Sequence, residues 1–124
     1  MINAVSYAVF ITMLNMRVAF AGVLIEFFKD TNFKGLRDIG ILNERLECFN
    51  LRERLDNQTS SLRWTPTVTV KYSHNDWLVF YDKPDCNGGD QFHVFANESN
   101  YFSDLADSHF DKKISSYQYL VVRL

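Results

Sequence analysis

The chain has 124 residues, of which 47% are hydrophobic and 15% aromatic, and its formal net charge is −2. This composition excludes a disordered chain, and the 5 Gly and 2 Pro exclude a collagen-like or linker-like one. Because the charge is slightly negative and no Lys/Arg-rich run occurs, we expect no nucleic-acid partner. The length is suited to a single aromatic-rich globular domain.

The first 21 residues differ in composition from the rest of the chain. They contain no acidic residue and one basic residue, Arg17, and the stretch from Ala4 to Leu14 is mostly apolar. That length is typical of the apolar region of a signal peptide, and Ala19-Phe20-Ala21 has the small-x-small pattern that signal peptidase accepts. We predict a cleaved signal peptide at 1–21 and a secreted domain at 22–124, without a membrane span in the mature chain. The alternative is a first strand or helix packed on the domain.

Secretion would make two further features of the sequence chemically relevant, a cysteine pair and two glycosylation sequons. Cys48 and Cys86 form an even pair, which an oxidising compartment would allow to form a disulfide, whereas the alternative is two buried thiols. The sequence does not decide between these. Asn57-Gln58-Thr59 and Asn97-Glu98-Ser99 are acceptor sequons, so Asn97 and Asn57 are candidate glycosylation sites.

Two sequence patterns each occur twice, at nearly equal spacing. Phe28-x4-Phe33-x-Gly35 recurs 53 residues later as Tyr81-x4-Cys86-x-Gly88. Asp56-Asn57-Gln58-Thr59-Ser60-Ser61 recurs 55 residues later as Asp111-Lys112-Lys113-Ile114-Ser115-Ser116. We therefore predict two homologous units, at about 22–72 and 73–124.

The composition of each unit favours β-structure. Strands are predicted where apolar and polar residues alternate or where branched and aromatic residues cluster, at Val23–Phe28, Thr67–Tyr72, Trp77–Tyr81 and Ile114–Leu124. A short helical turn is predicted at Tyr101–Ala106. Many short strands separated by Asn-, Asp- and Gly-bearing loops indicate a β-sandwich.

The aromatic-x4-aromatic-x-Gly pattern predicts a strand that folds sharply into a hairpin. Gly35 would adopt a positive φ at no steric cost, and the two rings would pack over the turn. In the second copy Cys86 stands where the second ring is expected, so we expect that hairpin to be packed less well.

In these patterns the sequence resembles the βγ-crystallin superfamily. The Greek-key motif of that family carries the same hairpin and a later Ser that latches onto it, here Ser60 and Ser115. The resemblance covers nearly all of 22–124. It implies an all-β fold, a two-sheet antiparallel sandwich of two Greek-key motifs with about eight strands.

Calcium-binding members of the family carry [Asn/Asp]-[Asn/Asp]-x-x-[Ser/Thr]-Ser in each motif and build each site from both copies. The resemblance implies a first Ca²⁺ site from the Asp56 carbonyl, the Gln58 amide oxygen and Ser115 Oγ, with a further backbone carbonyl from near Glu26. Neutral oxygens of this kind suit Ca²⁺, although the lack of a carboxylate predicts weak affinity.

The second implied site departs from the family pattern. It would use Asp111 and Ser60 Oγ, but Lys112 replaces the second Asn/Asp and Lys113 stands where an oxygen ligand belongs. An ammonium group has no acceptor lone pair and repels a dication, so we expect this site to be lost or badly weakened. The alternative for both loops is a purely structural role, in which Asp56 and Ser60 hold the loop through hydrogen bonds.

No pattern in the chain points to an enzyme. The three histidines, His74, His93 and His109, show no metal-ligand spacing, and no nucleophile or phosphate-loop motif occurs. We expect a secreted, non-enzymatic module with at most one weak calcium site. The alternatives are an antimicrobial, killer-toxin-like or protease-inhibitor-like protein of the same fold, or a subunit that forms a homodimer or binds a protein partner through an apolar face.

Overall fold

The computed structural model describes residues 22–43, 47–67 and 76–121. Within them it contains two short 3₁₀ turns, Pro84–Cys86 and Leu105–Ser108, and no α-helix. The predicted signal peptide lies outside the described residues. The eight strands are β1 (Gly22–Asp30), β2 (Lys34–Asn43), β3 (Cys48–Asn50), β4 (Ser61–Pro66), β5 (Asp76–Tyr81), β6 (Gln91–Phe95), β7 (Asn100–Phe102) and β8 (Ser116–Val121).

The strands form two antiparallel sheets of four strands each. The first sheet has the order β2-β1-β4-β7 and the second has the order β3-β8-β5-β6. Each half of the chain therefore gives its third strand to the sheet of the other half, since β3 pairs with β8 and β7 pairs with β4. The predicted two-sheet sandwich of eight strands is confirmed.

The core lies between the two sheets and follows the period-two alternation of the strands. In β1, Val23, Ile25 and Phe27 face inward and are almost completely buried. Phe27 meets Phe80 of the other sheet edge to face, with the ring centroids 6.2 Å apart. Burying each such side chain contributes about 1.5–3 kcal/mol. The other inward-facing residues of the core cluster include Leu42, Leu62, Trp64, Leu78, Tyr117 and Tyr119.

Several predicted elements need comment. The strands at Val23–Phe28 and Trp77–Tyr81 are confirmed, and most of the C-terminal one is β8. Of the strand predicted at Thr67–Tyr72, only Thr67 is among the described residues. It lies just after the end of β4 at Pro66 and is not part of a strand. The short helical turn predicted at Tyr101–Ala106 is present but begins later than predicted. β7 extends to Phe102, and the 3₁₀ turn spans Leu105–Ser108, where the Asp104 carboxylate accepts the Ala106 N–H.

The two hairpin turns have the same backbone conformation. Phe33 and Gly35 have φ of 60° and 82°, and Cys86 and Gly88 have φ of 51° and 60°. A non-Gly residue with positive φ is uncommon and needs support from its surroundings. The repeat of this conformation, 53 residues apart, confirms that the sequence pattern encodes a turn of one kind.

The support comes from a serine at the start of β4 or β8. Ser61 Oγ accepts the Phe33 N–H at 3.0 Å and donates to the Asp30 carbonyl at 2.6 Å. The latch assigned to Ser60 is therefore wrong by one residue. Because adjacent side chains of an extended chain point in opposite directions, only one of the two serines can reach the hairpin.

The second hairpin is held in the same way. Ser116 Oγ accepts the Cys86 N–H at 2.9 Å and donates to the Lys83 carbonyl at 2.6 Å. The latch is therefore Ser116 and not Ser115. The Sγ of Cys86 is bonded to that of Cys48 of β3, with the Cα atoms 5.9 Å apart, so a disulfide holds this hairpin where the first one has the Phe28–Phe33 ring contact.

The part of the chain described here holds no helix that is long and apolar enough to cross a membrane.

Candidate functional site

The two acidic loops, 56–61 and 111–116, lie against each other across the interface between the two halves. The Asn57 N–H donates to the Ile114 carbonyl at 2.9 Å, and the Lys112 N–H donates to the Thr59 carbonyl at 2.9 Å. Asn57 and Lys112 both have φ of 56°, so the loops have matching conformations. This reciprocal pair of hydrogen bonds brings each loop to the serines of the other.

The residues of the first predicted site occupy the Asn57 side of this contact. Asp56 is half-buried, and its Oδ1 is buried without a hydrogen-bond partner among the residues described. Gln58 is exposed, with its N–H bonded to the Leu55 carbonyl at 2.9 Å. Ser115 is buried, and its N–H donates to the Tyr81 carbonyl at 2.8 Å. A buried carboxylate oxygen of this kind can accept from water or contact a cation.

Within the described ranges, the structure shows no contact between Glu26 and the first loop. It lies in the middle of β1, between Ile39 of β2 and Arg63 of β4. The β1 residue that contacts the first loop is Phe28, whose carbonyl accepts the Ser60 N–H at 2.9 Å. The implied carbonyl ligand from near Glu26 is therefore not supported by the strand register.

The second predicted site is arranged like the first but carries two cations. Asp111 is half-buried, and its Oδ1 is likewise buried without a partner within the described ranges. Ser60 is buried, and its carbonyl accepts the Leu105 N–H at 2.8 Å. Lys112 is exposed, and Lys113 Nζ lies 3.9 Å from the carboxylate of Asp90. The second loop therefore carries positively charged ammonium groups of its own.

The side chains that most often bind metal ions do not form a cluster within residues 22–43, 47–67 and 76–121. No group of three or more His, Cys, Asp or Glu side chains there could hold a metal ion. Any cation at the acidic loops would depend on backbone carbonyl, amide and hydroxyl oxygens. Of the three histidines in the sequence, His93 and His109 are exposed, and His74 lies outside the described residues.

Comparison with solved structures gives close matches of fold. A βγ-crystallin from an archaeon is similar with a TM-score of 0.54 at 18% identity, over 81% of this chain and 98% of that one. A structure from work on the evolution of the eye-lens βγ-crystallin domain fold is similar with a TM-score of 0.53 at 17% identity, over 81% of this chain and 87% of that one. The chain has the βγ-crystallin fold.

Other comparisons add less. A βγ-crystallin domain of the abundant perithecial protein from Neurospora crassa, in its Ca²⁺-bound form, has a TM-score of 0.48 at 13% identity, over 82% of this chain and 91% of that one. No protein-family model matches the chain, and the comparison with curated proteins gives no match.

A polar cluster on the outer face of this βγ-crystallin fold was not predicted. Arg63 and Arg37 both bind the carboxylate of Glu26, with N–O distances of 2.9 and 3.2 Å. The hydrogen bond from Arg63 is the main cause of a pKa of Glu26 below its ordinary value of 4.5. The Arg63 guanidinium also lies 5.3 Å from the ring centres of Phe28 and Phe33. It thus covers the first hairpin, a role that single-sequence patterns do not indicate.

Proposed function

We propose that this chain is a secreted, non-enzymatic module of the βγ-crystallin fold with one weak calcium site. The ligands would be the Asp56 carbonyl, the Gln58 amide oxygen and Ser115 Oγ, supplemented by water. The observation that carries the proposal is the reciprocal hydrogen bonding of the two acidic loops through Asn57 and Lys112. When bound, Ca²⁺ would join the two halves of the fold and supply no chemistry.

The donor chemistry supports Ca²⁺ more than other ions. Ca²⁺ accepts six to eight oxygen ligands in flexible geometry, including neutral carbonyl, amide and hydroxyl oxygens, whereas Zn²⁺ prefers Cys and His. Asp56 adds negative charge beside these neutral oxygens, which favours a cation at this loop. Because the third loop position is Gln58 and not a carboxylate, we place the affinity at about 10⁻⁴–10⁻³ M, as in extracellular calcium modules.

In this proposal the second site does not bind Ca²⁺. Lys113 would bring its own positive charge to the second loop, at the motif position where an oxygen ligand is needed. We therefore expect a stoichiometry of one Ca²⁺ per chain.

Secretion is supported by the disulfide as well as by the N-terminal composition. A bond between Cys48 and Cys86 needs an oxidising compartment to form and persist. Expression of the full chain in secreting cells, followed by intact-mass measurement of the protein in the medium, should give a chain that begins at Gly22. Retention in the cytosol would contradict secretion without bearing on calcium.

The calcium site is tested by thermal unfolding in millimolar CaCl₂ and in chelator. Saturating a site of this strength adds about 1 kcal/mol, which raises Tm by roughly 4–8 °C for a domain of this size. Ser115→Ala should abolish the shift. Ser60→Ala, which removes the corresponding hydroxyl of the second site, is the matched control and should retain it.

Each comparison is made within one variant, so a change in basal stability does not affect it. No shift in the wild type, or an equal shift in Ser115→Ala, would remove Ca²⁺ from the function. A shift of the same size with MgCl₂ would show general ion binding and not a calcium site.

Pairing of two copies is a second candidate, favoured by one observation. β2 is an edge strand, and its outward-facing Ile39 and Ile41 are 51% and 68% exposed. Exposed apolar side chains on a strand that has no outer neighbour among the described residues favour association with another strand. Sedimentation at rising concentration tests this, with Ile41→Lys as the variant that should remain monomeric.

A further inference from the structure

The two glycosylation sequons have very different surroundings in the folded chain. Thr59 of the first sequon is fully buried, and its hydroxyl donates to the Leu55 carbonyl. The Asn57 N–H is bonded to Ile114 of the other half. In the folded domain, the hydroxyl that a glycosyltransferase must recognise is out of reach. A glycan added to Asn57 before folding would crowd the contact between the two acidic loops.

The second sequon lies in an exposed loop that directly follows two hydrogen-bonded residues. Asn97, Glu98 and Ser99 are all exposed, between β6 and β7. The two residues before them are held in place: the Phe95 carbonyl accepts from the Trp64 indole at 3.0 Å, and the Ala96 N–H donates to the Asp76 carbonyl at 2.8 Å. The sequon is therefore both accessible and positioned.

An exposed aromatic ring lies close to Asn97 along the chain. Phe95 ends β6 and is 49% exposed, and the exposed Asn97 follows it two residues later in the loop to β7. One face of the Phe95 ring packs on Trp77 at a centroid distance of 4.4 Å. The rest of the ring is apolar surface in water, next to the glycosylation site.

We propose that Asn97, and not Asn57, carries an N-linked glycan whose first sugar packs on the exposed face of Phe95. The inference rests on the secretion part of the proposed function. In the transfer step, Asn97 Nδ2 gives up one proton and bonds to C1 of a lipid-diphosphate-linked oligosaccharide. The C1–O bond breaks, and the lipid diphosphate leaves with its electron pair. The C–H face of the sugar then covers apolar ring surface that would otherwise stay in water.

The site is tested by translating the full chain in the presence of endoplasmic-reticulum microsomes. The wild type should show one glycosidase-sensitive mobility shift. Asn97→Gln should lose it, and Asn57→Gln, the matched control, should keep it. An imported, protease-protected chain without a glycan on Asn97 would overturn the inference and leave secretion intact. A chain that is not imported would overturn both, and a glycan on Asn57 would overturn the selectivity.

The packing on Phe95 is tested separately with glycosylated protein. Trimming the glycan to its first sugar should leave Tm unchanged, and complete removal should lower it by about 2–4 °C. In Phe95→Ala the loss on complete removal should fall by at least half, whereas Tyr101→Ala, at an exposed ring of the other sheet, should behave as the wild type. An equal loss in Phe95→Ala, or a loss on trimming alone, would overturn the packing.

Discussion

Tyr101 in β7 and Cys48 in β3 occupy equivalent positions in the two sheets. Each lies in the exchanged third strand, and each reaches the turn of the neighbouring hairpin. The Tyr101 ring meets the Phe33 ring at 5.7 Å, whereas Cys48 is bonded covalently to Cys86. One hairpin is therefore joined to the exchanged strand by a ring contact and the other by a disulfide. The two contacts should contribute different amounts to the free energy of unfolding.

Replacing both Cys48 and Cys86 by Ala should lower the free energy of unfolding by about 3–4 kcal/mol, because the bond closes a loop between residues 38 apart. Tyr101→Ala removes the equivalent ring contact and should cost only about 0.5–1.5 kcal/mol. Urea denaturation of both variants measures the two losses. Reduced wild-type protein should match the double variant, and equal losses for the two contacts would contradict the interpretation.

The short strands and the repeated patterns predicted a β-sandwich of two units, because the spacing of aromatic and Gly residues encodes a local turn. The two-sheet, eight-strand form came from the family resemblance that these patterns carry. Whether Cys86 bonds to Cys48 could not be decided in the same way. Cys48 reaches it only because β3 pairs with β8 of the other sheet, which is a long-range choice of strand partners. The latch was misassigned for a related reason: Ser60 and Ser61 are adjacent, and the sequence pattern does not fix which one faces the hairpin.

The latch serines should matter for folding and not for calcium. Ser61→Ala leaves the Phe33 N–H and the Asp30 carbonyl without their partner, which should cost about 1–3 kcal/mol. Ser116→Ala should cost a similar amount at the second hairpin. Thermal unfolding in chelator and in CaCl₂ should show the same calcium shift for Ser61→Ala as for the wild type. Loss of that shift would mean that Ser61 takes part in the site.

Lys113→Gln should open the second calcium site, since it restores at that loop the residue type found at Gln58. The ion pair of Lys113 with Asp90 is exposed, so its loss should cost less than about 1 kcal/mol. Calorimetric titration should give close to two Ca²⁺ per chain in place of one.

Lys34→Gln is the control for the change in net charge, because Lys34 is an exposed residue at the first hairpin. An increase in stoichiometry with this control, or none with Lys113→Gln, would contradict the role given to Lys113.

Tyr117 should make the domain sensitive to alkali. Its ring is buried against Phe27, and burial, followed by the charge of Asp38, raises its pKa from 10.0 to about 12. A raised pKa means that the folded state holds the proton more tightly, so this contribution to stability is full below pH 10. It is lost as the pH rises from about 10 to 12, by roughly 2–3 kcal/mol in total.

The measurement is urea denaturation at several pH values. Tyr117→Phe cannot ionise, so its stability relative to the wild type should increase across that range. Tyr101→Phe, at an exposed ring, should follow the wild type throughout. Parallel curves for Tyr117→Phe and the wild type would show that the buried phenol does not set the alkaline limit.

The exchange of β3 and β7 between the sheets also bears on how the chain acquires its structure. Residues 22–67 contain all the strands of the first half, yet β4 gains its outer neighbour from the second half, and β3 pairs only with β8 in the described fold. Neither half has a complete sheet by itself. The two halves are therefore expected to fold as one cooperative unit, so a change that removes β3 or β7 from its sheet should unfold both sheets together.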